Sequence, residues 1–532
     1  MYKIETPNMD PGFFGPDKRP YYIATGEWSF HSVGVRHPII LCHILNGMGC
    51  EAYITAQNPA PGMNAPLLTP EIIARHKEQG RHPVAVYNGD HFGVLGNLLQ
   101  GDVIAHITGS DVGPVLEILC GDELHFFWSK EWASENNKNI KLLPFPVIDE
   151  TVFNSDGVDD SKRSGFAYYA HKYLHHYGGT VSDRVKNNGI SLCQDIPRTQ
   201  KEIADILRGV KTLFVYESTG IASEAALCGC SCVVVKTGYL EEYFGDKIAE
   251  NPRFLEELFE YYVPEDELDI SADYKYTGAV VREYMSKFVT PSAERFAEFI
   301  RITQSAPIDA DESPIFPARE NENSGRVFLF GTGRVRLLVY NYLQKINVKV
   351  DGFVVPDEDK NAHDNEFLGV PLYSFSDYRT FCGQDCRLIL AAENKDEQET
   401  MSALDACGVK YTHYGDAFDI RSRFQQVMSH ALDRFLKEHK RIYIFGARNF
   451  SEMIYNSLRM AGVETMGFVV SDEHAESSVK SKYGLPVYPL SVFAEQHYDS
   501  DCGLMTGMMP NFMLEVVPNL YAKKIDYFLA AL

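Results

Sequence analysis

Two stretches of the chain, 115 residues apart, repeat each other. Residues 326–357 read RVFLFGTGRVRLLVYNYLQKINVKVDGFVVPD, and residues 441–472 read RIYIFGARNFSEMIYNSLRMAGVETMGFVVSD, with 12 identities over 32 aligned positions and no gap. The register persists further on, where Gly369-Val370-Pro371-Leu372-Tyr373 aligns with Gly484-Leu485-Pro486-Val487-Tyr488. A register held over that length marks an internal duplication. Each copy runs from an apolar β-type segment through a glycine turn into an amphipathic segment and a second apolar run, as in a βαβ unit. The expectation is a tandem pair of small Rossmann-like domains, 325–430 and 431–532, behind a polar, acidic, proline-containing linker at 306–324. Gly331 and Gly333 make a GxG turn able to meet a phosphate. Arg336, however, stands where the third glycine of a dinucleotide fingerprint belongs, and the second copy has Gly446-Ala447-Arg448. NAD binding is therefore weakly indicated, and the pair is either a second ligand or regulatory site or two packing modules.

The same grammar recurs at 211–235, KTLFVYESTGIASEAALCGCSCVVV. An apolar run to Tyr216 reads as a buried strand, Glu217, Ser218, Thr219 and Gly220 as a polar turn, and Ile221 to Leu227 as a helix. Gly229 ends the helix and a second buried strand follows. Glu217 and Glu224 flank this turn and can accept hydrogen bonds from sugar or ribose hydroxyls. The amides of Ser218, Thr219 and Gly220 at the helix start can hold a phosphate. Upstream, Lys172 follows a strand at 166–170, and Arg198 precedes Thr199, an N-cap whose capping-box partner is Glu202. Lys172 and Arg198 are candidates to neutralise a pyrophosphate. Together these segments predict a second parallel-sheet domain over 151–305, closed by a long helical segment interrupted near Pro291 that returns toward the first domain.

The first domain, 1–150, opens on a strand at 21–24, a loop GEWSFHSVG with Gly26 and Gly34 allowing close approach to the strand end, and a long helix ending at Gly47. Val84 to Tyr87 is a further buried strand, followed by Asn88-Gly89-Asp90-His91 and by Gly96-Asn97. Polar residues past a strand's carboxyl end lie where open α/β sheets bind ligands. Asp90, His91 and His31 are candidates for a general base, and His31 and Asn97 for acceptor contacts.

Composition bounds the partners. With 532 residues the chain has room for about three or four domains. A formal charge of −23 argues against nucleic acid, which needs a basic face. The first twenty residues lack the apolar core of a secretion signal and no run suits a membrane span, so a cytoplasmic protein is expected, with attachment to the inner membrane face left open. The Cys228, Cys230, Cys232 alternation has no second ligand pair at zinc spacing and reads as packing, as do Cys382 and Cys386; no metal is expected. No DxD-type metal motif occurs at a strand end.

Residues 21–305 resemble GT-B glycosyltransferases of the family 4-like group that builds bacterial surface polysaccharides. The strand, glycine loop and helix at 21–54, VAVYNGDHFGVLGN at 84–97 and YESTGIASEAALCGCSCVVV at 216–235 carry the resemblance. It implies an α/β fold of the GT-B kind, two Rossmann-like domains facing a cleft, with the tandem pair appended. It implies a hexosyltransferase moving sugar from a nucleoside-diphosphate sugar to a glycan or lipid-linked saccharide, without a further cofactor. The acceptor would lie in the first domain and the donor in the second. Glu224 matches the family's ribose-binding glutamate and Glu217 its sugar-facing one. Here they are separated by six residues, one fewer than is usual, so the family's retaining stereochemistry is not carried over. The repeats resemble the small nucleotide-binding domains of sugar acetyltransferases and the tail domains of some sugar methyltransferases. Peripheral membrane association and a homo-oligomer are compatible with this reading. The alternatives are a non-catalytic sugar-nucleotide-binding or assembly protein, or a sugar-nucleotide-modifying enzyme using the repeats.

Overall fold

Strands buried on both faces read as near-continuous apolar runs. In the computed structural model of this chain those runs assemble into four sheets in which parallel pairing dominates. The structure describes residues 18–88, 98–99, 101–108, 123–128, 141–175, 177–245, 248, 251–276, 278–290, 292–308, 325–360, 365–383, 385–392, 394–447, 449–475, 480–506 and 513–529. Asp90, His91 and Asn97 lie outside the described residues.

The first sheet holds β1 (Tyr21–Ile23), β2 (Ala52–Ile54), β3 (Val84–Asn88), β4 (Val103–Thr108) and β5 (Leu124–Phe127), in the order β2-β1-β3-β4-β5. The second holds β6 (Phe166–Tyr169), β7 (Ile190–Ser191), β8 (Thr212–Val215), β9 (Ser231–Val235) and β10 (Tyr262–Val263), in the order β7-β6-β8-β9-β10. Both are fully parallel and share one doubly wound topology, with its switch point between the first and third strands.

The duplicated half gives two further sheets of identical topology. The third holds β11 (Arg326–Phe330), β12 (Gly352–Val355), β13 (Glu366–Phe367), β14 (Val370–Ser374), β15 (Cys386–Leu390) and β16 (Tyr411–His413), in the order β13-β14-β12-β11-β15-β16. The fourth holds β17 (Arg441–Phe445), β18 (Thr465–Val470), β19 (Ser481–Lys482), β20 (Leu485–Pro489), β21 (Cys502–Thr506) and β22 (Tyr527–Leu529), in the order β19-β20-β18-β17-β21-β22. The likeness extends to strained turns: Leu368 and Gly369 have φ of 53° and 70°, Tyr483 and Gly484 have 54° and 77°. It extends to caps as well, since Asp357 accepts from Ser376 N at 2.8 Å and Asp472 from Ser491 N at 2.9 Å. A Cβ on Gly331 would lie 2.4 Å from Ala391 O, so this glycine is required by backbone packing inside its own domain. Arg336 is buried, with its guanidinium over the rings of Phe353 and Phe367 at 5.0 and 4.7 Å. It fills the helix–strand space that a fingerprint glycine would leave open.

The chain divides into two compact units. One comprises Ser29–Arg36 and Pro144–Arg295 and contains the second sheet; the other contains 18–28, His37–Leu143 and the described residues from Phe296 onward, with the remaining three sheets. The interruption expected near Pro291 is present as a helix Ala279–Tyr284, a π-turn Met285–Val289 and a helix Ser292–Ser305. The last of these packs on the first sheet. Tyr21 Oη meets Thr303 Oγ1 at 2.7 Å, Arg19 Nη1 donates to Thr303 O at 3.0 Å, and Phe299 lies against Tyr21 and Phe126.

In the same unit, the carboxyl ends of β1 and β2 are met by the helix Asn449–Met460 of the second repeat. Asn456 Nδ2 donates to Thr25 O at 3.1 Å, Arg459 Nη2 to Thr55 O at 3.2 Å, and Glu27 N to Glu452 Oε2 at 3.1 Å. Lys482 pairs with Glu452 at 2.7 Å. A Cβ on Gly26 would lie 2.5 Å from Glu452 Oε2. The close approach to the strand end that Gly26 allows is thus made by a side chain of the repeat. Gly26→Ala is expected to lower stability by about 0.5–1.5 kcal/mol, because the flexible end of Glu452 must give way and loosen the bond it accepts from Glu27 N. In a Glu452→Ala background its cost should fall by at least about 0.5 kcal/mol, read from chemical-denaturation midpoints as a double-mutant cycle.

Candidate functional site

The site is built on the second sheet, within the unit that contains it. Its switch point opens between β6 and β8, whose carboxyl ends lead into a helix His171–His175 and into Tyr216-Glu217. Glu217 is 2% exposed. Its Oε2 accepts from the backbone N–H groups of Lys172, at 2.5 Å, and Tyr173, at 3.0 Å. Glu217 therefore caps the helix that Lys172 sits on, joining two residues that the sequence reading assigns to one crevice. Glu217 Oε1 is buried and has no hydrogen-bond partner among the described residues. Burial pushes the Glu217 carboxyl above the ordinary range, against the pull of the Tyr173 and Lys172 amides and the Lys172 charge. The Lys172 side chain is exposed.

Ser218, Thr219 and Gly220 are half-buried and lead into the helix Ile221–Leu227, whose N-cap is Gly220. Glu224 lies on this helix, 6% exposed, and is engaged by Arg36 with Nη1 to Oε1 at 2.9 Å. Arg36 also donates to Val147 O at 3.2 Å, and its Nη2 would lie 3.8 Å from a Cβ on Gly220. Burial pushes the Glu224 carboxyl up, and the Arg36 charge and hydrogen bond oppose it. The carboxylate matched to a ribose contact is therefore held by a guanidinium of the same unit.

His31 joins this neighbourhood through its carbonyl, which accepts from Gln194 Nε2 at 3.4 Å; the same amide donates to Tyr169 Oη at 3.1 Å. Burial, then the Arg36 charge and His171, lower the His31 pKa and favour its neutral imidazole. Arg198 is half-buried just ahead of the Thr199 cap. The capping box forms as expected, with Thr199 N donating to Glu202 Oε2 at 2.7 Å and Glu202 N to Thr199 Oγ1 at 3.2 Å.

Two features escaped the sequence reading. Arg36 is a lone cation in the apolar helix Val33–Gly47, and that contrast was its only signal. His171 and His175, spaced one helical turn apart, both face Asp195 Oδ1, at 3.4 and 3.5 Å. Such spacing places two imidazoles on one helix face. Cys228 and Cys230 are fully buried free thiols, and burial pushes the Cys228 thiol up to about 11 and the Cys232 thiol to about 12.

Comparison with protein-family models, with curated proteins and with solved structures finds no match for this chain. No helix among the described residues is long and apolar enough to cross a membrane.

Removing Arg36 leaves Glu224 buried without its counter-charge. Arg36→Ala is expected to cost about 3–5 kcal/mol, and Arg36→Ala with Glu224→Gln substantially less, both measured by chemical denaturation. Glu217 sets a pH dependence. Its folded pKa is raised, so its contribution is fully present below the unfolded carboxylate value of about 4.3 and is lost as pH rises through the folded value. The stability of the wild type relative to Glu217→Gln should therefore decline from pH 4 toward neutrality in thermal unfolding; a difference that rises over that range would contradict the burial assignment.

Proposed function

We propose that this chain is a glycosyltransferase of the GT-B kind, transferring a sugar from a nucleoside-diphosphate sugar to a glycan or lipid-linked saccharide. The observation that carries the reading is Glu217. A carboxylate buried at a topological switch point, with one oxygen unsatisfied among the described residues and a polar turn leading into a helix beside it, is suited to a polyhydroxylated, phosphate-bearing ligand. In the transfer, an acceptor hydroxyl oxygen bonds to the anomeric carbon as the bond to the diphosphate breaks. The charge that develops on the leaving group is stabilised by Lys172, Arg36 and the amides following Thr219. In this reading Glu217 faces the donor sugar, Asp90 is the base that takes the acceptor proton, and His31 is the other candidate. Glu224 holds ribose only as Arg36 turns to the pyrophosphate, so donor binding exchanges one partner of each for another.

A non-catalytic assembly role is the second reading. It is favoured by the carboxyl edge of the first sheet, where the helix Asn449–Met460 occupies the strand ends at which an acceptor would bind.

Calorimetry of the full chain with a panel of nucleoside diphosphates separates the two. The transferase reading expects saturable binding of at least one, weakened about tenfold, or ~1.4 kcal/mol, in Lys172→Ala. It also expects turnover of a matching nucleotide sugar lowered by about a hundredfold or more in Glu217→Gln. Absence of binding by every diphosphate in the panel leaves the assembly reading standing.

A further inference from the structure

A second cluster of chemistry-bearing side chains lies in the other unit, in the first sheet. His106 on β4 and His125 on β5 are direct partners in the parallel ladder, so both project from the same face. Their rings stack at 4.9 Å with 5° between planes. Glu123 stands one residue ahead of β5, and its Oε2 lies 2.5 Å from His106 Nε2. The His106 side chain is fully buried and that of Glu123 is 9% exposed. One polar atom on each of the three, His106 Nδ1, Glu123 Oε1 and His125 Nε2, is buried with no hydrogen-bond partner among the described residues.

A hydrogen bond between His106 and Glu123 satisfies one atom of each and nothing on His125. Two stacked imidazoles and a carboxylate, converging with orphaned atoms, are incomplete as a purely protein network, because buried polar groups are normally paired. One cation, shared by a nitrogen of each imidazole and a carboxylate oxygen, would engage all three side chains. We propose that His106, Glu123 and His125 bind a single divalent transition-metal ion, with Zn²⁺ the best fit. Their donor atoms already lie within 4.8 Å of one another. Tetrahedral Zn²⁺ at about 2.0–2.1 Å from each ligand needs donors roughly 3.3 Å apart, a separation reached by modest side-chain rotation. Two imidazoles and one carboxylate form a borderline N/O set that suits Zn²⁺ better than Mg²⁺ or Ca²⁺, which prefer oxygen alone. The three ligands leave a fourth position open. The ion ties the start of β5 to β4, a role independent of the sugar-transfer reading.

The test uses the full, untagged chain, stripped with a chelator and titrated with Zn²⁺ by calorimetry and with Co²⁺ by absorption. One saturable ion and a raised unfolding temperature are expected. The Co²⁺ spectrum should lack a thiolate charge-transfer band, which sets the site apart from the cysteines. His125→Asn and the isosteric Glu123→Gln should each weaken binding by more than about tenfold, whereas His171→Asn with His175→Asn should leave it unchanged. Circular dichroism establishes that the variants are folded, and Glu123→Gln keeps the shape of the pair should His125→Asn not fold. No saturable ion, a thiolate band, or binding undiminished in folded Glu123→Gln would overturn the assignment.

Discussion

A parallel sheet gathers the ends of all its strands at one edge, with backbone and side-chain polar groups that must find partners there. Much of the molecule follows from how that edge is satisfied. In the first sheet, the Asn456 carboxamide and the Arg459 guanidinium, on a helix from the second repeat, donate to the carbonyls of Thr25 and Thr55. In the second, Glu217 turns back onto the amides following β6. In the repeats, Gly331 and Gly446 donate their N–H groups to Val354 and Val469 on the neighbouring strand. Three solutions to one constraint produce three different local chemistries.

Only the second sheet is left with a polar atom of a carboxylate buried and unanswered at this edge among the described residues. In a low-dielectric setting such a group is costly when ionised, and it strengthens any interaction that a ligand offers it. The neighbouring Arg36–Glu224 pair shows the opposite case, two charges desolvated together and matched to each other. Side by side, they give a region where one carboxylate has a single oxygen without a partner among the described residues and the other is held by a guanidinium.

Local patterns were legible wherever a single element decides them. The duplication announced two identical topologies, and the capping box at Thr199 and Glu202 and the strand–turn–helix–strand at 211–235 fold as their residues indicate. The Rossmann-like sheets were readable in their central strands, whose apolar runs end in glycine or polar turns, whereas the short strands β5, β10, β16 and β22 were not. What was not readable depends on distant partners. Nothing near Gly26 reveals that Glu452 will lie against it, and nothing near Glu224 reveals Arg36. One signal was present in the comparison of the repeats. Leu337 and Gln344 of the first copy are replaced by Glu452 and Arg459 in the second, at the positions that meet the first sheet. Divergence between otherwise matching copies thus marked the docked face. The pairing of His106 with His125 needed a strand register that separate segments of sequence do not carry.

The docked helix has a thermodynamic consequence. Glu452, Asn456 and Arg459 occupy the hydrogen-bonding groups at the ends of β1 and β2 that an arriving molecule would use. The two occupants are linked as competitors: the free energy that seats the repeat is subtracted from the affinity of anything else for that edge. Any ligand at that edge would therefore have to displace side chains that lie more than four hundred positions away in the chain.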